Sequence, residues 1–204
     1  MSAPKTIKRF SVQEYYAQET QASHKSEYYN GEIFAMAGGT VEHSRICVNI
    51  SGELRNRLTG KPCETFESNL RLKIKATGLR TYPDVSVYCG PLERDEEDPY
   101  RETYTNPAVL FEVLSKSTEG YDRGTKSQNY RRIKSLRAYA LVSQTDAFIE
   151  IYERQPDNRW LLREVTGLDA VLTIPSIGVD LPLSEIYARV VFTKPEAVEE
   201  PAHD

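Results

Sequence analysis

Cysteine is scarce in this chain of 204 residues: Cys47, Cys63 and Cys89 make an odd set of three with no C-x-x-C pair. That spacing excludes a zinc ribbon, argues against a disulfide framework, and fits a reducing, cytoplasmic setting. Long apolar runs are missing as well. Nothing approaches the roughly 18 apolar residues of a membrane span, and the start, Met1-Ser2-Ala3-Pro4-Lys5, has no apolar signal core. No membrane association is expected. Positive charge is not in surplus: 26 Lys and Arg stand against 30 Asp and Glu, a net charge of −4. A protein that coats nucleic acid through bulk charge is thereby excluded, although a local basic face is not. Neither an internal repeat nor a linker interrupts the chain. What is left is ordinary globular material, 39% hydrophobic and 27% charged, and long enough to bury a full core without staples. One domain over residues 1–194 is expected, followed by an acidic, frayed tail at 195–204.

Local signals divide that domain. Ser11-Val12-Gln13-Glu14 is a capping box, with Phe10 and Tyr15 as a hydrophobic staple, so a short helix should cover 12–19. Residues 27–34 read as a hairpin around Asn30-Gly31, which supply two positive-φ positions. After Gly38-Gly39, Thr40 is placed to cap a helix over 41–58, where Ile46, Ile50, Leu54 and Leu58 form one buried stripe. Gly60 and Pro62 close it. The period then changes to two, as Leu70, Leu72 and Ile74 alternate with Arg71, Lys73 and Lys75, which predicts a strand over 64–75. A turn at Thr77-Gly78 leads to a strand over 82–88 and an acidic loop over 89–106. Residues 108–114 are apolar except for Glu112, as in a central strand covered on both faces. A helix over 122–135 and a buried strand over 139–142 follow. Further strands at 147–153 and 160–165, joined through a turn at Asn158, precede a terminal helix from Ser184. The order helix, strand, strand, strand, helix, strand predicts an α/β fold of α+β character, a mixed sheet between helices.

Chemistry concentrates on few residues. Glu112 lies within Val109-Leu110-Phe111-Glu112-Val113-Leu114, where a carboxylate has no water to share. Such a group must be paired, protonated or bound to a cation. Asp84 repeats the pattern on the preceding strand, in Tyr82-Pro83-Asp84-Val85-Ser86-Val87. Adjacent strands lie about 4.8 Å apart, so both carboxylates fit within one cation's sphere. Hard oxygen ligands of this kind suit Mg²⁺ or Mn²⁺. The plainer alternative pairs each acid with a buried Arg or Lys, or has it cap a loop. Farther on, Asp122, Lys126, Tyr130 and Ile133 share one helical stripe, which turns Lys126 and Asp122 toward the carboxylate strands, unless Gly124 delays the helix and leaves Lys126 facing solvent. Two carboxylates, a dication and a lysine can hydrolyse a phosphodiester. The metal polarises the phosphate and acidifies water, and the lysine orients that water and offsets charge developing on phosphorus.

Pro83-Asp84 followed by Glu112-Val113-Leu114 resembles the PD-(D/E)XK nuclease superfamily. The longer string of Glu112 to Ser115, Ser117-Thr118, Asp122-Arg123, Lys126 and Tyr130 resembles its Uma-type restriction endonuclease family. Glu27 with Asn30-Gly31-Glu32 in the hairpin, and His43 at the start of the long helix, match it too. The likeness covers residues 10–153. It implies a restriction-endonuclease-like core and Mg²⁺- or Mn²⁺-dependent hydrolysis of DNA, with Asp84 and Glu112 as metal ligands. The superfamily lysine stands two residues after the acid, where this chain has Leu114. In this family the lysine comes instead from the following helix, at the position of Lys126. Glu27 is either an accessory ligand or a surface acid. His43 either hydrogen-bonds a nearby loop or acts as a base or phosphate contact. Lys116, in a polar turn, suits phosphate contact better than the lysine role.

Two basic patches are available to DNA phosphates: Arg71, Lys73 and Lys75 on one strand face, and Arg131, Arg132, Lys134 and Arg137 after the second core helix. Either can equally be an ordinary solvated face. A homodimer, common among enzymes that cut both strands, would double the basic surface. Two further classes stay open. One is a catalytically inactive nucleic-acid-binding or protein-interaction module on the same fold, which the missing lysine at position 114 favours. The other is a structural domain with buried ion pairs.

Overall fold

The computed structural model describes residues 8–36 and 38–192, so the expected tail at 195–204 lies outside the described residues. Ser11 accepts from the Glu14 amide and Glu14 reaches back, which starts α1 (Val12–Glu19). Asn30 (φ 50°) and Gly31 (φ 84°) make the turn between β1 (Ser26–Tyr29) and β2 (Glu32–Ala35). Only a residue tolerant of positive φ closes so tight a hairpin. The Thr40 hydroxyl accepts from the His43 amide and opens α2 (Val41–Leu58), whose buried stripe is Ile46, Ile50, Leu54 and Leu58.

The strands form two large sheets. The first is six-stranded, in the order β11 (Trp160–Thr166), β10 (Phe148–Arg154), β9 (Ala138–Val142), β8 (Pro107–Val113), β6 (Val85–Cys89), β3 (Cys63–Glu67). Only its β8–β9 pair is parallel, so the sheet is mixed, as expected. The second is five-stranded: β2, β1, β5 (Arg80–Thr81), β4 (Arg71–Lys73), β7 (Thr103–Tyr104). A helix over 119–130 (α3) connects β8 to β9 and contains a π-helical turn at Asp122–Lys126, where the Ser127 amide donates to the Asp122 carbonyl. The chain ends its described course with β12 (Val171–Ile174), β13 (Val179–Pro182) and α4 (Leu183–Ile186). No described helix is long and apolar enough to cross a membrane.

Alternation along β8 separates two cores. Val109, Phe111 and Val113 pack with the α2 stripe, whereas Leu110 and Leu114 pack with Tyr130, Ile133, Tyr139 and Leu141. Period two therefore sends Glu112 to the second face, beneath α3. Leu54 is fully buried in the first core. Leu54→Ala should cost about 2–5 kcal/mol, read as a lower denaturant midpoint with an unchanged slope; a shift below 1 kcal/mol would mean the stripe does not anchor α2.

Four expectations need correction. The strand over 64–75 is two strands in different sheets, because Leu70 bonds back to Glu67 and the chain turns there. The alternation of side chains runs across that turn, so periodicity alone does not reveal it. Second, the basic face it carries is not free for DNA. Arg71 is buried near Asp98, Lys73 bonds Asp95 and Glu97, and Lys75 meets Glu93, all from the acidic loop. Third, the helix over 122–135 ends at Tyr130; Arg132 and Ile133 bond back in turns instead. Fourth, Cys63 and Cys89 are register partners on β3 and β6 and are joined by a disulfide, leaving Cys47 free. Strand pairing brings together two cysteines that their sequence spacing does not pair. The β12–β13 ribbon was not expected at all.

Candidate active site

β8 carries Glu112 into a setting with almost no water, where its carboxylate accepts the Tyr130 hydroxyl at 2.6 Å and meets Lys126 Nζ at 2.9 Å. The π turn of α3 points Lys126 and Asp122 inward together, 3.5 Å apart. From the other sheet, β1 brings Glu27 to 3.4 Å from the same Nζ. Glu27 is held by the hydroxyls of Tyr121, at 2.8 Å, and Thr81. Three carboxylates thus surround one ammonium. Burial works to lower the Lys126 pKa, but the charges of Glu112, Glu27 and Asp122 overcome it and raise it well above the ordinary lysine range. Burial pushes the Glu112 carboxyl well above the carboxylate range; Lys126 opposes this, while Asp84 and Asp122 add to it. The Asp122 carboxyl is also raised, chiefly by burial.

Asp84 stands one residue before β6. The β6–β8 register, with Val85 opposite Phe111, puts it across from Glu112 when extended by one residue. Its Oδ2 accepts the Val113 amide at 2.8 Å, and His43 Nε2 lies 3.2 Å from the same oxygen. Burial tends to lower the His43 pKa, but the hydrogen bond and charge of Asp84 raise it above the ordinary value. One helical turn on, Cys47 Sγ is 3.5 Å from His43 Nδ1, its thiol pushed up by burial. Gly39 forms the back of the imidazole's seat, since a Cβ there would come within 2.8 Å of Nδ1.

Of these groups, Glu27, His43, Asp84, Glu112, Tyr121, Asp122 and Lys126 face a cleft of about 580 Å³, whereas Cys47, Thr81 and Tyr130 lie behind its lining. Its lining sets four acidic side chains, Glu27, Asp84, Glu112 and Asp122, against Lys126 and the imidazole of His43. Such a crowd of acids around one lysine is what a divalent cation relieves. The oxygens of Asp84 and Glu112 suit a hard dication, and the imidazole of His43 beside Asp84 suits a borderline one. His43, Cys47 and Asp84 also form a possible ligand group, with one donor atom from each within 4.8 Å of the others. The residues present fit a divalent metal.

Asp84, Glu112, Lys126, Glu27 and His43 therefore converge, as the sequence reading grouped them. The plainer alternative is realised in part, since Glu112 does pair with Lys126. Glu27 is a buried partner of that lysine and not a surface acid. His43 bonds Asp84, which lies in the connection between β5 and β6. Lys116 is exposed and outside the cleft lining. Tyr121, Thr81 and Cys47 were not anticipated. Tyr130 carried a signal, four residues after Lys126, whereas Thr81 and Tyr121 serve a glutamate remote in sequence and carried none.

Residues 12–184 match the family model described as Uma2, putative restriction endonuclease. The chain is 39% identical over 191 residues to the uncharacterized protein slr1290 of Synechocystis, covering 94% of this chain and 97% of that one. With the uncharacterized protein sll1609 of the same organism it shares 36% identity over 165 residues, 81% and 92% of the two chains. A crystal structure of a putative nuclease belonging to DUF820, from Anabaena variabilis, superposes with a TM-score of 0.71 at 17% identity, covering 89% of this chain and 99% of that one. At that identity the likeness establishes the fold, restriction-endonuclease-like as the sequence implied.

Proposed function

From the premise that this chain belongs to the Uma2 family of putative restriction endonucleases, we propose that it is a Mg²⁺- or Mn²⁺-dependent nuclease that hydrolyses DNA phosphodiesters. The observation that carries this reading is the contact of Lys126 with Glu112 at the floor of a cleft that Asp84 also lines. Asp84 and Glu112 would hold the metal, which when bound polarises the phosphate and lowers the pKa of its water. Lys126, kept charged by its carboxylate neighbours, donates toward the phosphate or the attacking water and offsets negative charge developing on phosphorus. Coming from α3, it stands in for the lysine that the superfamily carries at the position of Leu114. Glu27 and Asp122 position that ammonium. His43 fixes the rotamer of Asp84 through its Nε2 contact.

The test combines calorimetric titration of Mn²⁺ with nicking of supercoiled plasmid and of circular single-stranded DNA. Binding and nicking that are both lost in Asp84→Ala support the enzyme. Metal binding without nicking points to the catalytically inactive module, and neither points to a structural cluster. A second variant probes the seat of the imidazole. Gly39→Ala puts a Cβ 2.8 Å from His43 Nδ1, so the ring or the backbone at 39 has to shift, and a displacement near 1 Å at a catalytic group can cost about 100-fold in rate. Plasmid nicking should fall steeply while the melting temperature stays close to that of the parent; an unchanged rate would remove His43 from the working site.

A further inference from the structure

The hairpin that supplies Glu27 also builds one wall of the cleft. Glu27 is the register partner of Phe34 across β1 and β2. Directly opposed residues share a face, with Cβ atoms about 4.5–5.5 Å apart. Tyr29 lies on that face too, by alternation. Phe34 thus stands beside the carboxylate that holds Lys126, on an edge strand, and is still 49% exposed. It lines the cleft together with Tyr29, Met36 and Tyr121. An aromatic so exposed contributes little to a core, whereas its open face is suited to stacking.

The floor is deep. The side chains of Glu112 and Asp122 are each 4% exposed and that of Lys126 is 5% exposed. The cleft, at about 580 Å³, falls within the size of small-molecule pockets, roughly 300–1,000 Å³. A paired strand is stiff and brings a phosphate to such a floor only if the whole duplex fits the mouth of the cleft. An unpaired strand can bend a single phosphodiester down to it, if its bases unstack and find another surface. Charge points the same way. Binding a duplex relies on many backbone cations, yet the Arg71 and Lys73 side chains are engaged by Asp98, Asp95 and Glu97, the exposed Arg132, Lys134 and Arg137 lie outside the cleft lining, and the chain carries a net charge of −4. Base stacking supplies affinity without cations.

We propose that the cleft takes an unpaired nucleic acid strand, one base stacking on Phe34 while the adjoining phosphodiester reaches Asp84, Glu112 and Lys126. The inference rests on the nuclease reading for where the phosphate goes. Its test uses one labelled oligonucleotide sequence as single-stranded DNA, as single-stranded RNA, as a blunt duplex, and as a duplex with an unpaired tail. Binding is read by anisotropy in Ca²⁺ and cleavage in Mn²⁺, for the parent protein, Phe34→Ala and Phe34→Tyr. A single strand, of whichever sugar, should bind more than tenfold tighter than the blunt duplex, and the tailed duplex should be cut in its tail. Phe34→Ala should weaken single-strand binding roughly 5- to 150-fold, the range for losing one stacked base, and Phe34→Tyr should retain it. A blunt duplex bound or cut as well as the single strand, or unchanged binding by Phe34→Ala, overturns the proposal and leaves the nuclease reading intact. Single-strand binding that depends on Phe34, with no cleavage of any substrate, overturns the nuclease reading and leaves the stacking site standing.

Discussion

Glu112→Gln is expected to reduce metal-dependent cleavage by on the order of 10³-fold or more while the protein stays folded. The exchange keeps shape and keeps an oxygen to accept the Tyr130 hydroxyl, which now lies at 2.6 Å. It removes one anionic oxygen donor from the position where a dication would be shared with Asp84. Stability should change little, because the Lys126 ammonium is not left without a carboxylate. Lys126 meanwhile retains Glu27 at 3.4 Å and Asp122 at 3.5 Å. Nicking assays, Mn²⁺ calorimetry and a melting curve together decide the matter. Full cleavage by the variant would show that Glu112 serves only to neutralise a lysine.

How far these conclusions were readable without coordinates depends on the distance over which each signal acts. The capping box at Ser11, the Asn30-Gly31 turn and the α2 stripe are local codes, written within a few residues of where they act, and each appears as expected. Glu112 and Asp84 were legible because a carboxylate interrupting an apolar strand is anomalous on its own. Lys126 was legible through helical spacing, although the helix that carries it is shorter and includes a π turn. What the sequence concealed is long-range. The chain reversal between Glu67 and Leu70 keeps the alternation of side chains intact, so Arg71 and Lys73 look like a free basic face until the acidic loop is seen to fold over them. The Cys63–Cys89 disulfide likewise depends on which strands become neighbours. Thr81 and Tyr121 reach Glu27 only through tertiary folding.

Lys126→Met should have the largest effect on stability of any change in the cleft. The methionine fills similar volume, but it leaves carboxylates that lay 2.9, 3.4 and 3.5 Å from the ammonium without their shared cation. Removing one partner of a buried ion pair costs about 3–5 kcal/mol, because the remaining charge stays desolvated. The deficit should depend on pH with a definite sign. Burial already raises the Asp122 carboxyl above its ordinary value, and loss of the lysine raises it further. A carboxyl raised in the folded state binds protons there that the unfolded chain releases. The variant should therefore recover toward the parent as pH falls through that raised value and be weakest at neutral pH. Ca²⁺ should narrow the gap as well, by an amount that grows with its concentration over the dissociation constant. Cleavage in Mn²⁺ should nevertheless stay depressed by about 100-fold or more, since a dication can replace the charge of Lys126 but not its positioned N–H donors. Denaturant melts across pH, with and without Ca²⁺, separate the two roles. If the variant melts like the parent at every pH, the carboxylates do not need this ammonium; if it cleaves like the parent, the α3 lysine is structural and the water is activated elsewhere.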